Sequence, residues 1–184
     1  MSRIPIKKLV LTAFFAALTF VATMIIQIPT PTNGYINLGD SIVLVSGYLL
    51  GPVFGGFAAG LGSALADLVA YPMYAPATFV IKFSMALISG LLFKLFRKHT
   101  LGAILCGVIG ELIMIAGYYF FEATFMGFGW FAALSGVSSN IFQAIAGLCS
   151  SVLLIQAFSD KKRKPAVSEL PDEEEFSEEY EYED

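Results

Sequence analysis

The sequence predicts an all-α integral membrane protein of six transmembrane helices with both termini cytoplasmic. Two observations carry this. Of the 184 residues 57% are hydrophobic and the mean hydropathy is +0.73, more apolar surface than a soluble domain of this size can bury. Ten of the eleven Lys and Arg residues fall in three short clusters: Arg3, Lys7 and Lys8; Lys94, Arg97 and Lys98; Lys161, Lys162, Arg163 and Lys164. Long apolar stretches separate them. Cytoplasmic loops of membrane proteins collect Lys and Arg, so an even number of crossings is expected between each pair of clusters. The eleventh cation, Lys82, lies inside an apolar run.

The first span is expected at residues 9–28. It is long enough to cross a bilayer and more spans follow, so this basic-then-apolar start reads as a retained helix, not a cleaved signal. The cluster Pro29-Thr30-Pro31-Thr32-Asn33-Gly34 ends it. The second span, 36–50, covers only about 22 Å at ~1.5 Å per residue, so it is expected to begin below the outer surface. The third, 52–70, follows the Gly51-Pro52 turn. The remaining spans are expected at 76–96, 101–121 and 132–158. The intended outer loops, 29–35, 71–75 and 122–131, contain no Lys or Arg. A re-entrant hairpin formed by the second and third segments would leave the parity unchanged.

The membrane domain is thus residues 1–160. Residues 161–184 are basic, then strongly acidic. Ten acids follow Lys164, whereas only Asp40, Asp67, Glu111 and Glu122 fall between residues 1 and 158. Such a tail is expected to be a disordered, solvated cytoplasmic segment. Cys106 and Cys149 lie in apolar runs and read as small core residues, not as a disulfide or metal pair. The single His99 reads as a solvated loop residue. In the third segment Gly51, Gly55, Gly56, Gly60 and Ala64 place small residues four apart, which lets helices approach closely in lipid.

Polar residues at membrane depth cost about 2.5–3.5 kcal/mol each when charged, so they are expected to pair or to line a cavity. The candidates are Asn37, Asp40, Asp67, Tyr71, Tyr74, Thr78, Lys82, Asn140 and Gln143. Thr78 and Lys82, four apart, share a helix face, as do Asn140 and Gln143, three apart. Together they predict a polar pocket in the outer leaflet, rimmed by Tyr35, Tyr71, Tyr74 and Trp130. The cost of burial predicts that Lys82 pairs with Asp40 or Asp67; an ion pair that only holds helices together is the alternative. Glu111, near mid-membrane, either lines the pocket floor or joins helices. Amides, carboxylates and one ammonium among many aromatics suit a small, flat, hydrogen-bonding solute. Phosphorylated ligands and nucleic acid call for several Arg, and none is present here. There is no Gly-rich phosphate loop and no pair of histidines for zinc, so neither ATP hydrolysis, a metal site nor a cofactor is expected. The one enzyme reading, an aspartyl dyad of Asp40 and Asp67, is weakened by Lys82 beside it.

The stretch GYINLGDSIVLVSGYLLGPVFGGFAAGLGSALADLVAYPMYAPATFVIKFSMALISGLLF, residues 34–93, resembles the substrate-binding S components of energy-coupling factor (ECF) vitamin transporters, in the branch that takes riboflavin, hydroxymethylpyrimidine or pyridoxine. The matching elements are Tyr-Ile-Asn-Leu-Gly-Asp, the Leu-Gly-Pro turn, the Gly-rich helix ending Ala-Asp-Leu, and Tyr-Ala-Pro followed by Ile-Lys. The resemblance implies a multi-pass protein of the cell (plasma) membrane that binds a vitamin from outside under a lid, residues 29–38, and is not itself an enzyme. It implies a membrane T component and two cytoplasmic ATPase subunits as partners, the S component toppling in the membrane to release its cargo. It also implies that Ala13 and Ala17, an Ala-x-x-x-Ala pair, face the T component. The residue inventory favours a pyridoxine or pyrimidine precursor over riboflavin. Two other readings are a stand-alone proton-coupled carrier using Glu111 or Asp67, and a structural membrane protein binding no small molecule.

Overall fold

The computed structural model describes residues 6–30, 35–96 and 100–161. Arg3, Arg97, Lys98, His99, the basic and acidic tail from 162 onward and positions 31–34 of the expected lid lie outside the described residues. Among the described residues six helices are formed: α1 (Ile6–Ile25), α2 (Gly39–Leu50), α3 (Pro52–Ala70), α4 (Ala75–Leu95), α5 (Thr100–Thr124) and α6 (Gly129–Lys161). Five of them are long and apolar enough to cross a bilayer. The sixth, α2, has 12 residues and reaches only about 18 Å. It begins deep: Asp40, in its first turn, meets Lys82 of α4, and Lys82 lies about 10 Å along α4 from Ala75.

Each boundary has a local cause. Gly51, at φ 84°, turns the chain between α2 and α3, and Pro52 starts α3 where its missing N–H costs nothing. Gly127 and Gly129, at φ 73° and 76°, make the tight connection between α5 and α6. The chain from α1 to α2 folds back through a two-stranded antiparallel ribbon, β1 (Ile28–Pro29) and β2 (Tyr35–Ile36), with Ile28 opposite Ile36. The sequence reading held no strand here. The fifth span is also longer than expected, so Glu122 is buried in a helix and is not an outer-loop residue.

The bundle is built around α3, which packs on α1, α2 and α4, and α5 joins α4 to α6. Small residues make this possible, as their spacing predicted. A Cβ on Gly55 would lie 2.5 Å from the Ser46 carbonyl oxygen and 2.6 Å from Gly47 Cα, so α2 and α3 touch backbone to backbone. The Ser46 hydroxyl seals this contact by donating to the Gly55 carbonyl at 3.0 Å. Gly55→Val is expected to force these helices apart and to lower the thermal unfolding midpoint in detergent by several degrees, with a loss of about 1–3 kcal/mol for overpacking. An unchanged midpoint would show that the contact is looser than described.

An apolar core of Val43, Leu44, Tyr48, Met85, Met114 and Cys106 fills the space between α2, α4 and α5. The Tyr48 hydroxyl reaches the Ala103 carbonyl at 2.9 Å, and its ring stacks on Phe93 at 4.4 Å. Cys106 is buried as expected, but Cys149 is exposed on α6 and is not a core residue. On α1 the Ala16 carbonyl lies against Gly62 of α3, and Thr19 and Thr23 are buried. Ala13 and Ala17 point away from the bundle and are exposed.

Candidate functional site

Six of the nine sequence-predicted polar residues gather at the end of the bundle where the ribbon meets α3, α4 and α6, in two hydrogen-bonded groups; Tyr71, Tyr74 and Asn140 join them on the cleft wall. The first group surrounds Asp40, which is completely buried. Its carboxylate forms an ion pair with Lys82, itself 2% exposed, and accepts a hydrogen bond from the Gln143 side-chain amide at 2.6 Å. Gln143 Oε1 in turn accepts from the Asn37 backbone N–H at 2.9 Å and from Asn37 Nδ2 at 3.2 Å. Asn37 Oδ1 takes the Gly39 N–H at 2.8 Å, holding the start of α2. Of the two partners the sequence allowed for Lys82, the fold selects Asp40. Its ammonium also lies 5.5 Å from the centre of the Tyr118 ring.

The second group surrounds Asp67. Its carboxylate accepts from the Tyr35 hydroxyl at 2.5 Å and from the Thr78 hydroxyl, and Thr78 continues to the Tyr118 hydroxyl at 2.9 Å. The Tyr35 and Tyr71 rings stack at 5.2 Å, which ties β2 to the end of α3. Burial, then the adjoining Asp67 carboxyl, push the Tyr35 phenol up, so it stays protonated and donates.

Between the groups lies a narrow, nearly closed cleft with about 30 Å³ of free space. That is far below the ~300–1,000 Å³ typical of small-molecule sites, so its walls must part to admit a ligand. Asn37, Asp67, Tyr71, Tyr74, Asn140 and Gln143 line it, as expected. Asp40, Thr78 and Lys82 do not line it. They lie behind the wall, because their side chains are consumed by the two hydrogen-bonded groups. Trp130 does not rim it either; it is 55% exposed and packs on Tyr119 and Phe120, as an aromatic at a membrane interface does.

Four lining residues were missed as site candidates: Thr30, Tyr118, Glu122 and Gly136. Tyr35, expected on the rim, lines the cleft as well. Glu122 accepts a hydrogen bond from the Tyr74 hydroxyl at 3.3 Å, and its carboxyl rests where a side chain on Gly136 would be. Tyr118 and Tyr119 are adjacent, and only the helix register decides which faces inward. Glu111 is buried one layer deeper, beside Asp40 and Gly147. It does not line the cleft, and neither carboxyl oxygen has a hydrogen-bond partner among the described residues.

A cleft of aromatic rings, amides and carboxyls, bordered by a ribbon and set in a helical membrane bundle, defines a membrane protein that captures a small molecule. Comparison with known proteins makes this specific. The profile of the ECF-type riboflavin transporter S component matches residues 3–160, and the chain belongs to that family. It is therefore the substrate-specific subunit of a transporter and not an enzyme. The chain is 38% identical over 130 residues to an uncharacterized protein of Pyrococcus woesei, covering 70% of this chain and 85% of that one. It is 30% identical over 155 residues to the thiamine precursor transporter HmpT of Lactococcus lactis subsp. cremoris, covering 81% and 86%. The solved S component of a bacterial ECF transporter shares its fold, with a TM-score of 0.67 at 21% identity over 86% of this chain and 98% of that one.

Proposed function

We infer that the chain captures a small aromatic vitamin precursor, of the hydroxymethylpyrimidine or pyridoxine type, in a cleft open to the outside. In this reading both termini are cytoplasmic and the protein resides in the plasma membrane. It hands its cargo inward only in complex with a membrane T component and two ATPase subunits. The observation that carries the ligand class is that, among the described residues, no Lys or Arg lines the cleft, and Lys82 behind it is held by Asp40. A phosphorylated or carboxylated ligand would bring an uncompensated negative charge toward Asp67 and Glu122, which face the same space. A neutral or weakly basic ring meets stacking surface from Tyr71, acceptors from Asp67 and amides from Asn37 and Gln143. The likeness to a thiamine precursor transporter points the same way.

The test is uptake of radiolabelled hydroxymethylpyrimidine into cells making this chain with or without T and ATPase subunits. Uptake is expected only with all of them and ATP. Uptake by the chain alone, driven by a proton gradient, would establish the carrier reading instead.

Ala13 and Ala17 support the placement of the T component. They are exposed on α1 while Ala16, beside them, turns to α3, so the pair forms a shallow face where another helix can approach closely. Ala13→Leu with Ala17→Leu is expected to abolish uptake by the complete transporter and leave ligand affinity of the isolated chain within about twofold, since surface substitutions have small effects. A large loss of affinity would place this face inside the folded chain.

A further inference from the structure

The Asp40–Lys82 pair lies behind the cleft wall, yet it is linked to two residues that line it. An ionised carboxylate only accepts hydrogen bonds. In the ion pair with Lys82 the Asp40 carboxylate is an acceptor, so Gln143 turns its amide nitrogen to Asp40 and its oxygen to Asn37. The observed contacts run this way throughout: Lys82 and Gln143 donate to Asp40, Asn37 donates twice to Gln143 Oε1, and the Gly39 N–H donates to Asn37 Oδ1. Gln143 Oε1 is thereby saturated. Gln143 Nε2 and Asn37 Nδ2 each retain a second N–H with no acceptor among the described residues, and both side chains line the cleft.

We propose that Asp40 and Lys82 are a positioning pair that fixes the direction of the Gln143 and Asn37 amides, so that the cleft floor offers hydrogen-bond donors and selects a ring with an acceptor edge. The opposite wall, with the Asp67 carboxylate, accepts. The ligand class is then a heterocycle with a ring nitrogen or carbonyl on one edge and an amino or hydroxyl group on the other. This rests on the small-ring reading above and narrows it. A structural ion pair with no influence on the site would not discriminate between acceptor and non-acceptor rings.

Removing one charge alone risks misfolding, because the other stays buried without a partner. The informative variant is Asp40→Asn with Lys82→Met, which removes both charges at similar volume and lets the Gln143 amide adopt either direction. Two readouts separate the claims. In the ligand-free protein with ¹⁵N-labelled glutamine, one Gln143 side-chain proton is expected downfield of those of Gln27 and Gln156, and the double variant is expected to lose that shift. Unchanged amide resonances would overturn the positioning claim whatever the ligand is. In calorimetry, the wild type is expected to bind 4-amino-5-hydroxymethyl-2-methylpyrimidine at least about tenfold more tightly than its analogue with both ring nitrogens replaced by C–H, because unpaired donors on the floor penalise the analogue. In the double variant this ratio is expected to fall toward one. A ratio that persists, with both affinities lowered equally, would mean that the pair acts only on stability. Wild-type protein that binds neither ring would refute the ring reading and leave the amide resonances to decide the positioning claim.

Discussion

Lys82→Met alone is expected to destabilise the folded chain by about 3–5 kcal/mol, because it strands the Asp40 carboxylate in a site with no access to water. Asp40 is completely buried and Lys82 nearly so, and the remaining contact to Asp40, from Gln143, is a neutral donor. A large fall in the thermal unfolding midpoint in detergent, with poor yield from the membrane, is the expected observation. The double replacement Asp40→Asn with Lys82→Met is expected to recover most of that loss, since removing a buried pair together is often close to neutral. If the single variant were as stable as the wild type, the pair would have to be hydrated, and Lys82 would be free to meet a ligand. The sequence alone placed Lys82 among the residues expected to line a pocket, with a purely structural ion pair as the alternative. The fold makes Lys82 first a structural necessity, because the carboxylate that answers it lies behind the cleft.

Asp67→Asn is expected to act in the opposite sense, with a small effect on stability and a large one on affinity. Asp67 accepts from Tyr35 and Thr78 on two different oxygens. An asparagine offers one acceptor and turns an N–H₂ group toward the other hydroxyl. The stacked Tyr35 then loses its anchor and β2 its hold on α3. A hydrogen bond from the ligand to a charged carboxylate contributes about 1.5–3 kcal/mol, so a ten- to hundredfold loss of affinity is expected, read by calorimetry. Equal affinity in wild type and variant would mean that Tyr35 closes the cleft without Asp67, and that Asp67 does not touch the ligand.

Much of this arrangement was legible beforehand because membranes punish exceptions. A lysine in an apolar run, two aspartates near helix ends and a glutamine three residues from an asparagine are costly in lipid, and each lies in the cleft wall or directly behind it. The short second helix was readable from its length, and its deep start explains how Asn37 and Asp40 reach Gln143 halfway along α6. Small residues on α3 likewise announced close packing. What escaped the sequence had no such signal. Two-residue strands have no period, so the ribbon was invisible. Glu122 follows an aromatic run and precedes the glycine-rich Met126–Gly129 connection, and cutting the helix too early placed it in a loop. Trp130 read as a rim residue because aromatics gather both at pockets and at membrane interfaces, and composition does not separate the two. Cys149 was assigned to the core because a helix that is apolar all round hides which face meets lipid.

The most direct test is calorimetric titration of the purified full chain in detergent, without ATP, against hydroxymethylpyrimidine, pyridoxine, riboflavin, thiamin, folate and pantothenate. The expected result is one-to-one binding of a single-ring compound with nanomolar to low micromolar affinity, about −8 to −12 kcal/mol. Tight binding of riboflavin with no response to the single rings would contradict the ligand class, and no binding across the panel would contradict capture of a vitamin precursor.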